Sequence, residues 1–205
     1  MTSDNQQRQS AFVIRHSSFV IRHSGIPNAM SLAPVEEIRR AIRNIPDFPK
    51  PGIQFKDITP VLADPGLFSG TIDLLTAGFK RGEVDSIVGI DARGFIFAAA
   101  AAIKLHAGFV PVRKKGKLPF DTHEQAYELE YGQSTIAIHT DAVKPGARVL
   151  LIDDLLATGG TAEAAAILLQ KVGAKILEAT FVIELSALKG REKIQHCPVR
   201  SLVVY

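Results

Sequence analysis

One stretch constrains the fold more than any other: Val149-Leu150-Leu151-Ile152-Asp153-Asp154-Leu155-Leu156-Ala157-Thr158-Gly159-Gly160-Thr161. Four consecutive apolar residues, Val149 to Ile152, predict a buried strand. Two carboxylates close it, and a small-residue turn leads into a helical pattern over 162–172. Gly159 and Gly160 carry no side chain, so successive N–H groups are free to turn toward one point. Thr158 and Thr161 add hydroxyls, and the following helix brings the positive end of its dipole. A phosphate monoester fits such a turn. No Gly-Lys-Ser/Thr follows the glycines, as a Walker loop requires, and the Gly-x-Gly-x-x-Gly of a dinucleotide site is absent. Side chains of neighbouring strand residues point to opposite faces, so at most one of Asp153 and Asp154 is expected to face inward. A carboxylate beside a phosphate is electrostatically poor unless it holds hydroxyls or a metal, and ribose hydroxyls answer that need.

This stretch resembles the phosphoribosyl-pyrophosphate (PRPP) motif of the type I phosphoribosyltransferases. The resemblance implies that Asp153 and Asp154 hold the ribose 2′ and 3′ hydroxyls, and that Ala157, Thr158, Gly159, Gly160 and Thr161 cradle the 5′-phosphate.

A second unit of the same kind precedes it. Ser86 to Ile90 reads as a buried strand, ends in Asp91-Ala92-Arg93-Gly94-Phe95, and is followed by an alanine-rich helix over 95–106. Repeated strand-turn-helix units imply a parallel sheet with its site at the carboxyl ends of the strands. Further strands are expected over 108–112, 134–139, 176–185 and 201–205, and an amphipathic helix over 67–80 from Leu67, Ile72, Leu75 and Phe79. The expected fold class is therefore α/β: a twisted, mainly parallel sheet flanked by helices, of the type I phosphoribosyltransferase kind. The resemblance implies that an N-terminal hood (about 45–62) and a flexible β flap (about 113–134) complete it.

Several separate motifs between Val35 and Tyr205 resemble the adenine phosphoribosyltransferases. Prolines 46, 49, 51 and 60 argue against a regular helix in the hood, leaving a stiff irregular segment with Ile53, Phe55 and Ile58 as apolar contacts. The resemblance implies that its main chain reads the purine edge at Gln54 and Lys56. It also makes Asp91, Ala92 and Arg93 part of a pyrophosphate loop, with Arg93 beside the purine and a non-proline cis peptide expected between 91 and 94. Arg113-Lys114-Lys115-Gly116-Lys117 places four cations in five residues, which suits a polyanion. By resemblance, Arg113, Lys114 and Lys117 contact the diphosphate. Alternation around Tyr127-Glu128-Leu129-Glu130-Tyr131-Gly132 predicts two antiparallel flap strands joined by Gly132-Gln133. The resemblance makes Glu130 the catalytic-loop glutamate, with Tyr131 beside it at the adenine site, while Glu128 is read as solvated. Leu185-Ser186-Ala187-Leu188-Lys189-Gly190-Arg191-Glu192-Lys193 also resembles this branch, in a structural role.

Composition narrows the class. With 205 residues, 46% hydrophobic and 22% charged, the chain suits one globular domain. No run of eighteen apolar residues occurs, so no membrane helix is expected. A single cysteine, Cys197, excludes an internal disulfide and suits a reducing, cytoplasmic setting. The net charge of +3 includes +2 from residues 1–29, where Arg8, Arg15 and Arg22 face only Asp4, leaving a nearly neutral body. No nucleic-acid partner is expected. Residues 1–29 also contain a near repeat, Phe12 to Ser18 and Phe19 to Ser24, too short for a solenoid. They are expected to form a disordered extension ahead of one domain, residues 30–205, with the hypothesis that Met30 is the true start. No protein-built metal site is expected, because no histidine has a partner at ligand spacing.

The resemblance implies conversion of adenine and PRPP to AMP and diphosphate in purine salvage, with Mg²⁺ carried by the diphosphate and a homodimer as the working unit. A transferase for xanthine or hypoxanthine stays open, because oxo-against-amino choice rests on backbone positions. A PRPP-sensing regulator would want an added DNA-binding domain, for which residues 1–29 are too short.

Overall fold

Alternation along the central strands decides which helix covers which face. In the computed structural model, which describes residues 35–128 and 132–205, Ile87 and Leu150 point to one side of the sheet and Val88 and Leu151 to the other. The first side packs on α1 (Val35–Ala41), α3 (Pro65–Leu75) and α4 (Gly94–Leu105), with Ile38, Leu75, Phe97 and Ala101 fully buried. The second packs on α5 (Gly160–Lys171) through Ala165, Leu168 and Leu169. Two apolar layers therefore sandwich one sheet, as continuous apolar strands require.

The described strands in that sheet run in the order β5-β6-β4-β3-β7-β8-β9. These are β3 (Ser86–Ile90), β4 (Gly108–Lys114), β5 (Thr122–Glu128), β6 (Gln133–His139), β7 (Arg148–Leu156), β8 (Lys175–Glu184) and β9 (Val199–Val204). The pairs among β4, β3, β7, β8 and β9 are parallel, whereas β5 and β6 add an antiparallel edge, in register from Thr122↔His139 to Glu128↔Gln133. The sheet is thus mainly parallel and flanked by helices, as expected from the repeated units.

Several boundaries differ from the sequence reading, each for a local reason. The segment expected to be irregular contains a small antiparallel pair, β1 (Arg43–Ile45) with β2 (Phe55–Asp57), and then a short helix, α2 (Thr59–Ala63). Pro60 stands in the first turn of α2, where a missing N–H loses no helical hydrogen bond. The helix expected over 67–80 is α3, which begins at Pro65 because the Asp64 carboxylate accepts from the Leu67 N–H at 2.8 Å. It stops at Leu75, and Gly78 follows in the left-handed region at φ +91°. The carboxylates that were expected to close β7 lie inside it: β8 is long enough to pair Asp153 with Phe181 and Leu156 with Glu184.

Candidate active site

The carboxyl ends of β3 and β7 lie side by side, and each feeds a helix. Between them opens a cavity of about 340 Å³. Its walls come from Asp91, Ala92 and Arg93 after β3, from Asp153 and Asp154 on β7, and from the 157–162 turn. The peptide between Asp91 and Ala92 is cis, within the window expected from the sequence. Gly94 lets α4 start against the tip of β7, since a Cβ there would lie 2.5 Å from Asp153 Oδ1.

Asp153 and Asp154 are both among the residues that line the cavity. Asp154 is buried and accepts from Arg93 Nε at 2.5 Å. Asp153 accepts the Asp154 main-chain N–H at 2.9 Å. Desolvation, and then the neighbouring Asp154 charge, hold the Asp153 carboxyl well above the usual carboxylate range. That N–H and Arg93 pull the other way.

The 157–161 turn lies beyond. Gly159 adopts φ +80° as it leads into α5, and no side chain caps that helix. The first-turn N–H groups of α5 therefore have no side-chain acceptor at the N-cap and open beside the cavity. Tyr127, near the end of β5, also lines the cavity. It approaches Gly160 so closely that a Cβ there would stand 3.1 Å from Glu128 O and 3.4 Å from Tyr127 Cδ2.

Arg93 leads from the cavity to β2, because its guanidinium lies 5.6 Å from the Phe55 ring centroid. Phe48 meets Phe55 edge to face at 5.2 Å. The side chains of Gln54 and Lys56 are engaged elsewhere: Gln54 Oε1 accepts from Asn44 at 2.9 Å, and Lys56 Nζ sits 3.8 Å from the Tyr205 ring centroid. Neither lines the cavity. Of the basic run, Arg113 donates to Asp91 Oδ2 at 3.1 Å and to the Lys117 carbonyl at 3.1 Å. Lys115 pairs with Glu124 at 2.7 Å. Lys114 ends β4, and the side chains of Lys114 and Lys117 do not line the cavity. Glu130 and Tyr131 lie outside the described residues, as does the extension over 1–29.

Sequence reasoning did not single out Tyr127 or the close approach of Gly190 to Gly159. Tyr127 reads only as one residue of an alternating strand. Gly190 lies thirty-one positions after Gly159, and nothing in a linear sequence announces that the two backbones touch.

A profile of the phosphoribosyl transferase domain matches residues 61–204. The adenine phosphoribosyltransferase of Acidothermus cellulolyticus is 55% identical over 168 residues, covering 82% of this chain and 95% of that protein. That of Methylobacterium sp. is 54% identical over 170 residues, covering 82% and 94%. Among solved structures, the adenine phosphoribosyltransferase of Rhodothermus marinus superposes with a TM-score of 0.79 at 50% identity, covering 83% of this chain and 98% of the other. The enzyme of Saccharomyces cerevisiae, complexed with an imino-altritol bisphosphate and adenine, superposes with a TM-score of 0.78 at 42% identity, covering 82% and 97%. A paired carboxylate, a helix start without a side-chain cap and an arginine that also meets Phe55 thus stand on a sheet that these proteins also have, and the chain belongs to the phosphoribosyltransferases, among the adenine phosphoribosyltransferases.

Proposed function

We infer that the protein transfers the ribose 5-phosphate of PRPP to adenine, releasing diphosphate and forming AMP, in purine salvage. The observation that carries this reading is the arrangement of Asp153 and Asp154 between a helix N-terminus on one side and Arg93 under Phe55 on the other. Such a cavity offers one end to a phosphate, its middle to hydroxyls and its far end to a planar base. In this reading Ala157, Thr158, Gly159, Gly160 and Thr161 hold the 5′-phosphate, and the two aspartates hold the ribose hydroxyls. Asp91, Ala92 and Arg113, joined by Lys114 and Lys117, receive the diphosphate. The hood main chain at Gln54 and Lys56 reads adenine, with Arg93 and Tyr131 beside it.

Mg²⁺ arrives on the diphosphate. Two of the carboxylates near the cavity are tied to arginines, Asp154 to Arg93 and Asp91 to Arg113. Bound with the diphosphate, Mg²⁺ supplies charge neutralisation to the leaving group. Glu130 serves as the catalytic carboxylate that balances charge on adenine as N9 loses its proton. A Glu130→Gln enzyme with unchanged turnover would dispose of that role.

The working unit is a homodimer. Support comes from the outer face of α4 and the start of β4, where Ile103, 78% exposed, lines a shallow apolar patch with Ala99 and Phe109 that is suited to a second copy. Residues 30–205 act as the catalytic domain. A cytoplasmic location agrees with a single unpaired thiol at Cys197. Among the described residues no helix is long and apolar enough to cross a membrane.

The test is AMP formation from PRPP, Mg²⁺ and adenine, with hypoxanthine, guanine and xanthine in parallel. Turnover with adenine alone is expected. Turnover with an oxopurine instead would overturn the base assignment, and saturable PRPP binding without turnover of any base would point to a regulator.

A further inference from the structure

The 157–159 turn has almost no side chain of its own to hold it in shape, yet its shape decides where its N–H groups point. What backs it is another main chain. Gly159 and Gly190 are packed face to face: a Cβ on Gly190 would stand 2.1 Å from the Ala157 carbonyl oxygen, and one on Gly159 would stand 2.2 Å from the Gly190 carbonyl oxygen. Real Cβ atoms do not approach that closely, and the obstruction on both sides is backbone. Gly190 opens a 3-10 turn, Gly190–Lys193, entered through Lys189 in the left-handed region at φ +53°.

Arg191 locks this turn to the sheet. Its guanidinium forks onto Glu184, the last residue of β8, at 3.1 and 2.5 Å, and also donates to the Val199 carbonyl at 2.5 Å. Glu184 is buried, and donation from Arg191 holds its carboxyl below the usual range, so the pair is ionised at neutral pH. Leu185 N–H donates to the Leu156 carbonyl at 2.9 Å, which ties the start of the same segment to the end of β7. The segment is therefore anchored at β7, β8 and β9 and pressed against the turn at one glycine contact.

We propose that Gly190 and Arg191 are positioning residues for the sugar-phosphate substrate: Gly190 supplies the backing that sets the 157–159 turn, and Arg191 holds Gly190 in place. The proposal rests on the reading of that turn as the 5′-phosphate site. Neither residue touches substrate. Their loss therefore appears in the PRPP term and spares the base term, whereas a general loosening of the fold moves both.

Initial rates of the full chain, with PRPP and adenine varied in turn and a thermal midpoint recorded for each variant, test it. Gly190→Ala is expected to raise the KM for PRPP at least tenfold and leave that for adenine within twofold. Arg191→Lys keeps a charge against Glu184, and so the fold, but cannot reach Glu184 and Val199 together; at least a threefold rise in the PRPP term alone is expected. If Gly190→Ala does not fold, Arg191→Lys decides by the same pattern. Folded variants with unchanged PRPP terms, or with both terms raised alike, overturn the proposal. If the parent itself shows no saturation with PRPP, the phosphate-site reading fails instead.

Discussion

Replacing Arg93 by Met removes a cation that faces two neighbouring carboxylates. In the parent, Arg93 Nε donates to Asp154 at 2.5 Å; the Asp154 side chain is 8% exposed and that of Arg93 45% exposed. Exposed ion pairs contribute up to about 1 kcal/mol, and stripping one partner from a fully buried pair costs about 3–5 kcal/mol. With one partner buried and the other nearly half in water, screening places the loss near 2 kcal/mol at pH 7.5. The loss should depend on pH. Asp153 already sits well above the carboxylate range, and Arg93 is one of the groups opposing that shift. Without it the folded chain holds its proton to still higher pH. A carboxyl raised in the folded state contributes stability that is complete below its unfolded value, near 3.8, and is lost as pH rises through the folded value. The gap between parent and Arg93→Met should therefore narrow as pH falls toward the unfolded value. Urea unfolding over a series of pH values measures it. A gap that never narrows on acidification, or one below about 0.3 kcal/mol at pH 7.5, would refute the coupling of Arg93 to the carboxylate pair.

Three further perturbations test other parts of the structure. Leu168→Ala empties a fully buried site on α5 and should lower stability by about 3 kcal/mol with the denaturant slope unchanged. Asp85 is held at about 2 by hydrogen bonds from the Arg148 side chain and main chain. Its contribution is present above its unfolded value near 3.8 and lost as pH falls toward 2, so Asp85→Asn should flatten the acid limb of the melting curve without moving the neutral midpoint's pH slope. Tyr205 carries Lys56 on its ring at 3.8 Å and Arg39 at 5.2 Å, so Tyr205→Ala should raise the KM for adenine several-fold while Tyr205→Phe stays within twofold.

Much of the fold was legible because local rules and global fold agreed. Ser86 to Ile90 and the 160–171 helix announce themselves by apolar runs and periodicity, and each is found within two residues of its predicted bounds. The departures occur where a partner element overrides the local signal. Asp153 and Asp154 read as a strand end, yet β8 continues and extends pairing past them. The proline-rich 46–60 region reads as irregular, yet Asn44 and Lys56 pair across it. Tyr127 reads as one alternating strand residue, and only the docking of β5 on α5 brings it to the cavity wall.

The residue types and spacings of 149–161 were sufficient to specify a strand, a carboxylate pair and a small-residue turn into a helix, because each follows from backbone geometry within a dozen residues. They could not specify that Arg93 would clasp Asp154 or that Gly190 would press against the turn. Those contacts join positions 31 to 61 residues apart, and their distances are set by how strands register in the sheet and how closely two backbones can pack. Short-range chemistry is written along the chain; the convergence of distant groups exists only once the layers have closed on each other.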